Sequence, residues 1–239
     1  MKLIQETKQI IRRLILGHNI STYYFSQSGE DAIIQNIFSS KLSNKEPGFF
    51  IDIGAFHPQH HSNTNLLYIN GWSGINIDPR PGSMRLFNKY RKRDINLEIG
   101  VSDKKEKLIY YFIDDNSPMN SFSRSNLEKL GMLKRVKQEI LIDVYPLNEI
   151  LNKYLPNNQQ IDLINIDAEG YEFKILKSLD WNKYCPKVII VEMEASSLLD
   201  VINNDVSKFF FALNYEIAAK TVLLKNLGSV IFVHNSFNY

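Results

Sequence analysis

The chain has 239 residues, 44% hydrophobic and 23% charged, with a formal net charge of +2. That length supports one substantial core, and the charge is too small to recruit a nucleic acid or an acidic polymer by electrostatics alone. A lone cysteine, Cys185, closes no internal disulfide, and no apolar run reaches the roughly 20 residues that span a bilayer, so a cytoplasmic protein with no nucleic-acid partner is expected.

Leu3, Ile4, Ile10, Ile11, Leu14 and Ile15 recur at helical spacing, with Lys2, Lys8, Arg12 and Arg13 on other faces. The two arginines interrupt the apolar positions that a signal peptide needs. An N-terminal helical extension over residues 1–45 is therefore expected ahead of a main domain over 46–239. Packing on that domain or on a partner subunit, as in a homo-oligomer, is favoured over lying on an anionic membrane. A polar turn at 26–29 then leads into Glu30, Asp31 and the apolar positions Ile33, Ile34, Ile37 and Phe38, a second helix with acids in its first turn.

From Phe49 onward short apolar strands alternate with helices, the pattern of a doubly wound α/β sheet. Strands are expected at 49–53, 74–78, 95–101, 161–166 and 187–193, with helices at 63–70, 82–91, 146–153, 171–178 and near 196–212. Residues 107–113 and 139–144 read as added strands, and the Ser-, Asn- and Asp-rich stretch 114–126 as an exposed loop placed to cover a substrate. The basic residues within 85–93 read as solvated, and Cys185, just before Pro186, as a packed core thiol. Runs at 215–224 and 229–234 flank Gly228 and close the chain as an antiparallel hairpin.

Two strand ends carry the chemistry. Asp52-Ile53-Gly54-Ala55 ends the first strand with a glycine that permits close backbone approach, and no Gly-x-Gly-x-x-Gly turn follows. A nicotinamide dinucleotide needs that turn for its pyrophosphate. S-adenosylmethionine has no phosphate, and its amino group and sulfonium are cationic, so an acid such as Asp52 suits it. Asp78-Pro79 closes the second strand where an acid can accept from both ribose hydroxyls, and Ser102-Asp103 follows the third, placed for the adenine edge. Gln27, Glu30, Ser62 and Asn63 are further candidates around the cofactor, although a helix start explains Glu30 and a helix cap explains Ser62 equally well.

The fourth strand ends in Asp167-Ala168-Glu169-Gly170-Tyr171-Glu172. Asp167 should border the transferred group and is the first candidate for catalysis, with His57 as an alternative base among His57, His60 and His61. Glu192 and Glu194 share a strand face by their spacing of two. With Asp167 and Glu169 they suggest an acidic cluster, and Asp167, Glu169 and Glu194 are candidate oxygen ligands for Mg or Mn. Glu172 reads as a helix-start acid.

These motifs together, with Ser26-Gln27-Ser28-Gly29-Glu30-Asp31, Ser62-Asn63-Thr64, Gly71-Trp72-Ser73-Gly74-Ile75-Asn76-Ile77-Asp78, Val101-Ser102-Asp103 and Leu147-Asn148-Glu149-Ile150-Leu151, resemble the FkbM family of S-adenosylmethionine-dependent methyltransferases over roughly residues 24–195. The resemblance implies a class I methyltransferase fold, a Rossmann-like, mostly parallel seven-stranded sheet with a C-terminal antiparallel hairpin. It also implies O-methylation of a hydroxyl on a sugar or sugar nucleotide, as in surface-polysaccharide biosynthesis. Methylation of another small metabolite, or a binding module that has lost catalysis, are the rival readings.

Overall fold

The computed structural model describes residues 24–238, so the helix expected near residues 3–15 lies outside the described residues. Two helices, α1 (Glu30–Ile37) and α2 (Ser39–Ser43), precede strand β1 (Phe49–Ile53). The chain then alternates through α3 (Asn65–Ile69), β2 (Ser73–Ile77), α4 (Met84–Tyr90) and β3 (Ile95–Leu97). Next come β4 (Gly100–Ser102), β5 (Glu106–Phe112), α5 (Arg124–Lys129), β6 (Gln138–Pro146) and α6 (Leu147–Tyr154). Last are β7 (Leu163–Ile166), α7 (Glu172–Lys177), β8 (Val188–Glu194), α8 (Leu198–Asn203), α9 (Asp205–Ala212), β9 (Tyr215–Lys220) and β10 (Leu227–His234).

Seven strands form one sheet in the order β3-β2-β1-β7-β8-β10-β9, parallel except for β10, which runs antiparallel to both neighbours. The order reverses between β1 and β7, which leaves a crevice at the carboxyl ends of these central strands. Both are buried along their whole length, as sheets covered on two faces must be. Alternation along the strands divides the core. Ile51, Ile53, Ile164, Ile166, Ile189, Val191, Val230 and Phe232 pack on the face covered by α6, α7 and α9. Phe50, Leu163, Val188, Ile190, Ile231 and Val233 pack on the other, against Ile34 and Ile37 of α1, Leu67 of α3 and Trp72. Helix α1 is thus part of the sheet's own packing.

The expected third strand divides in two. Ile95, Asn96 and Leu97 pair with β2, and the chain then leaves the sheet to pair with β6 in a separate three-stranded sheet, β4-β6-β5. Gly100 permits this, because a Cβ there would lie 2.5 Å from Val144 Cγ1 and 2.8 Å from the Phe122 ring. The helix expected near 196–212 is also two helices. Ser197 and Asp200 form a capping box on α8, and Asn204, in extended backbone, accepts from the Val206 N–H to start α9.

Two side chains reverse their sequence-based placement. Cys185 is exposed, because Tyr215 rather than the thiol occupies the buried position and donates its hydroxyl to the Pro186 carbonyl at 2.7 Å. Arg91, expected to be solvated, is fully buried. Its guanidinium donates to Asp94 at 2.8 Å, to Thr64 Oγ1 at 3.0 Å and to the Pro58 carbonyl at 3.1 Å, and lies over the Phe50 and Tyr68 rings. Each of its three nitrogens donates once and Asp94 supplies the counter-charge, which is how a buried ion is tolerated. Arg91→Ala leaves Asp94 buried without its counter-charge, and urea denaturation is expected to show a loss of about 3–5 kcal/mol. A loss below about 1 kcal/mol would mean that water replaces the guanidinium without cost.

Candidate functional site

A cavity of about 400 Å³ opens at the carboxyl edge of the central strands, within the range of small-molecule sites. Its floor is built by the tips of β1 and β7. Gly54 turns the chain at φ 76°, and a Cβ there would lie 1.6 Å from the Asp167 carbonyl oxygen, so only glycine lets the two tips come this close. The Gly54 and Ala55 amides donate to the Ile77 carbonyl at 2.9 and 3.1 Å, which binds this turn to the end of β2.

Asp52 is buried at the floor and accepts one hydrogen bond on each carboxylate oxygen. Thr64 Oγ1 donates to one carboxylate oxygen at 2.6 Å and Asn165 Nδ2 to the other at 2.9 Å, while Asn63 Nδ2 donates to Asn165 Oδ1 at 2.9 Å. Burial still raises the Asp52 carboxyl above the usual range. At the tip of β2, Asp78 accepts the Phe56 and Arg80 amides at 3.0 and 2.9 Å, one on each oxygen. Each oxygen keeps lone-pair capacity for a ligand.

Asp167 and Glu169, after β7, meet Glu192 of β8, and one oxygen from each lies within 4.8 Å of the others. Burial, with Glu192 and Glu172 close by, pushes the Asp167 carboxyl well above its usual value. Burial, then Asp167, raises Glu169 to about 9, and burial, then Glu169, raises Glu192 to about 8. The three titrate as one coupled group. Glu169 also sits at φ 51°, a left-handed backbone that costs on the order of 1 kcal/mol or more for a non-glycine residue. This conformation is held from outside, since Ser121 Oγ and Asn126 Nδ2 donate to the Glu169 carbonyl at 2.9 and 3.2 Å.

Those two donors belong to the stretch expected to be an exposed loop. Part of it is helix α5, started by Ser123, and Ser117, Asn120 and Ser121 are buried. Asn120 binds the loop to itself, accepting from the Ile113 amide at 2.7 Å and donating to the Asp114 and Ser117 carbonyls at 2.8 and 2.9 Å. Residues 117–122 line the cavity, so the segment is a fastened wall.

Among the sequence-predicted residues, Gln27, Asp52, Gly54, Ala55, Asn63, Asp78, Pro79, Asp167, Glu169 and Glu194 line the cavity. Of the two glutamates expected in the acid cluster, Glu192 joins Asp167 and Glu169, whereas Glu194, the one expected as a metal ligand, is exposed and ion-paired with Lys129. His57 is outside the lining. Its Nδ1 accepts the Gln59 and His60 amides at 3.1 and 3.0 Å, and burial, with His60 and Arg80 nearby, lowers its pKa, so it acts as a neutral turn acceptor. His61 lines the cavity instead and meets Gln27 Nε2 at 3.1 Å.

Glu30, Ser62, Ser102 and Asp103 also lie outside the lining. Glu30 accepts from Thr221 and Ser229 at 2.7 and 3.1 Å, tying α1 to the C-terminal hairpin. Ser62 accepts from the Asn65 amide at the start of α3, and Ser102 Oγ donates to Asp103 on the second sheet. Sequence reasoning missed His61, Tyr110 and Phe122 in the lining. The last two come from β5 and the wall segment, whose approach to the cavity depends on the second sheet and has no local signal.

Residues 52–217 match the methyltransferase FkbM domain. The chain belongs to the FkbM methyltransferase family. It is an S-adenosylmethionine-dependent methyltransferase with a class I, Rossmann-like sheet. No curated protein matches it. Among solved structures, a TehB-like SAM-dependent methyltransferase from Corynebacterium glutamicum is 10% identical, with 97% of each chain covered and a TM-score of 0.38. A protein of the NADB-Rossmann superfamily from Streptococcus agalactiae is 18% identical over 84% of this chain and 68% of its own, with a TM-score of 0.40. A precorrin-6y C5,15-methyltransferase from Geobacter metallireducens is 16% identical over 83% and 87%, with a TM-score of 0.35.

The site of this FkbM methyltransferase fits the cofactor its family implies. Acids stand at the tips of β1, β2 and β7, and the Gly54 turn keeps the floor between them open. After Gly54 the next glycine is Gly71, so the turn has no diphosphate cradle and suits a nucleoside with a cationic tail. Among the described residues no helix is long and apolar enough to cross a membrane.

Proposed function

We propose that this enzyme methylates a hydroxyl of a sugar or nucleotide-activated sugar, with the cluster of Asp167, Glu169 and Glu192 taking up the proton. That cluster, three carboxylates within 4.8 Å facing a cavity, is the observation that carries the reading. When bound, S-adenosylmethionine supplies a methyl group on a sulfonium sulfur, open to in-line attack. Asp78 accepts from the ribose, with Pro79 beside it. Gly54, Ala55, Asn63 and Gln27 border the amino-acid end, and Asp52, held by Thr64 and Asn165, supplies negative charge beneath it.

A sugar hydroxyl is a weak acid, so the protein must place a base beside it. Crowding supplies one here, because three carboxylates this close cannot all be ionised near neutrality and their affinity for protons rises toward that of the substrate. Asp167-Ala168-Glu169-Gly170 also stands where amino-group methyltransferases often carry Asn/Asp-Pro-Pro-Tyr/Phe, which favours oxygen over nitrogen as acceptor. The sugar class, and a place in surface-polysaccharide biosynthesis, rest on the FkbM family resemblance.

The deciding experiment is a screen of nucleotide-activated sugars with labelled methyl donor. Transfer to a sugar hydroxyl supports the reading, and cofactor binding without transfer to any of them supports a binding module. The same three acids suit Mg or Mn as oxygen ligands, and a chelator separates the two uses. Direct proton uptake predicts an unchanged rate in EDTA, whereas a rate that collapses and returns with Mg assigns the cluster to a divalent cation.

Asp78 offers a cleaner binding probe. Alanine there would also release both the Phe56 and Arg80 amides, whereas asparagine keeps an acceptor for one of them and is the milder substitution. Asp78→Asn is expected to weaken S-adenosylhomocysteine about 10- to 100-fold by isothermal titration, the worth of hydrogen bonds to a charged acceptor. An unchanged affinity removes Asp78 from the ribose.

A further inference from the structure

We propose that Tyr110 reads the base of the methyl donor, its hydroxyl donating a hydrogen bond to a ring nitrogen of the purine. The inference rests on the cofactor reading above and adds the residue that recognises the base.

Ser102 and Asp103, the sequence candidates for the base edge, lie outside the cavity lining, because the chain leaves the main sheet after Leu97 and carries Ser102 on the second sheet. The wall that replaces them is Pro79, Ile99, Val101, Tyr110 and Phe122. Four of these five side chains carry no polar group, so the wall suits a flat, apolar ring. Tyr110 and Phe122 pack with ring centroids 4.9 Å apart, which fixes the orientation of the tyrosine.

Tyr110 is mostly packed against its neighbours but lines the cavity, and its hydroxyl makes no hydrogen bond among the described residues. The hydroxyl is not among the fully enclosed polar atoms that lack a partner, so it keeps access to the cavity that Tyr110 lines, where a ligand can use its donor. Burial, with Asp78 close by, raises the phenol well above its ordinary value, so the group stays protonated and can donate.

The test is isothermal titration of the full chain and of Tyr110→Phe with S-adenosylhomocysteine and its 1-deaza, 3-deaza and 7-deaza analogues. Tyr110→Phe is expected to weaken S-adenosylhomocysteine about 3- to 10-fold, the range of a neutral hydrogen bond. One deaza analogue should bind the two proteins equally, identifying the nitrogen that accepts. Equal affinity of both proteins for S-adenosylhomocysteine overturns the proposal, as does the same loss for all three analogues, which marks a purely structural tyrosine. Absence of binding to the unaltered chain would overturn the cofactor reading itself.

Discussion

Glu192→Gln is expected to lower kcat by about 10²- to 10⁴-fold, the usual contribution of a positioned base, while leaving S-adenosylhomocysteine affinity within about threefold. The same change is expected to stabilise the protein at high pH. Glu192 and Glu169 rise from 4.5 to about 8 and about 9 in the folded chain. The folded state therefore binds more protons than the unfolded one between these limits, and stability from the cluster is complete below about 4.5 and is lost as pH rises through 8 to 9. Glutamine keeps the shape of the protonated acid and removes one charge from the repelling group. Calorimetry at pH 6 and pH 9 should show a smaller fall in Tm for the variant, at about 2–4 °C per kcal/mol for a domain of this size. Turnover rising through the same pH window in the unaltered enzyme, and falling away in the variant, would tie both effects to one proton. Full activity in Glu192→Gln would remove the cluster from the reaction.

Gly54→Ala is expected to cost about 2–5 kcal/mol. A left-handed backbone is unfavourable by about 1–2 kcal/mol for alanine, and forced separation of packed elements adds about 1–3 kcal/mol. Here the new methyl would lie 1.6 Å from the Asp167 carbonyl oxygen, so β1 and β7 must part. Gly71→Ala is the matched control, since Gly71 has φ 98° and nothing within 4 Å of an added Cβ. The difference between the two variants in urea denaturation isolates the collision. Cofactor affinity should fall only at Gly54, where parting the strands moves Asp167. Equal losses would mean that backbone strain alone is felt.

Periodicity revealed the central strands because they are covered on both faces and read as short runs of apolar residues with at most one or two polar positions. The alternating hairpin at the end of the chain was equally plain. What the sequence concealed depends on contacts distant along the chain. Nothing local distinguishes a third strand that continues from one that leaves the sheet at Gly100, because the reason lies in Val144 and Phe122. Arg91 reads as solvated until Asp94, Thr64 and the Pro58 carbonyl surround it. In the site, acids at strand tips were legible since their positions follow from topology. Choosing between Glu192 and Glu194 required knowing that Lys129, at the end of α5, forms an ion pair with the second one. His57 was misplaced by nearness to Gly54 in sequence, whereas the turn aims its neighbour His61 inward.

The place of β10 in the sheet bears on how the chain is made. It inserts between β8 and β9, although it is synthesised after both. Until it emerges from the ribosome, the edge of β8 offers unpaired amides beside Val188, Ile189, Ile190 and Val191, all of them buried in the finished fold. Such an edge is a template for pairing with other chains. Five of the seven strands can pair before β10 is made, while β9 waits undocked for that strand to join it to the sheet. Nascent chains paused between residues 220 and 227 should therefore be the form most dependent on chaperones.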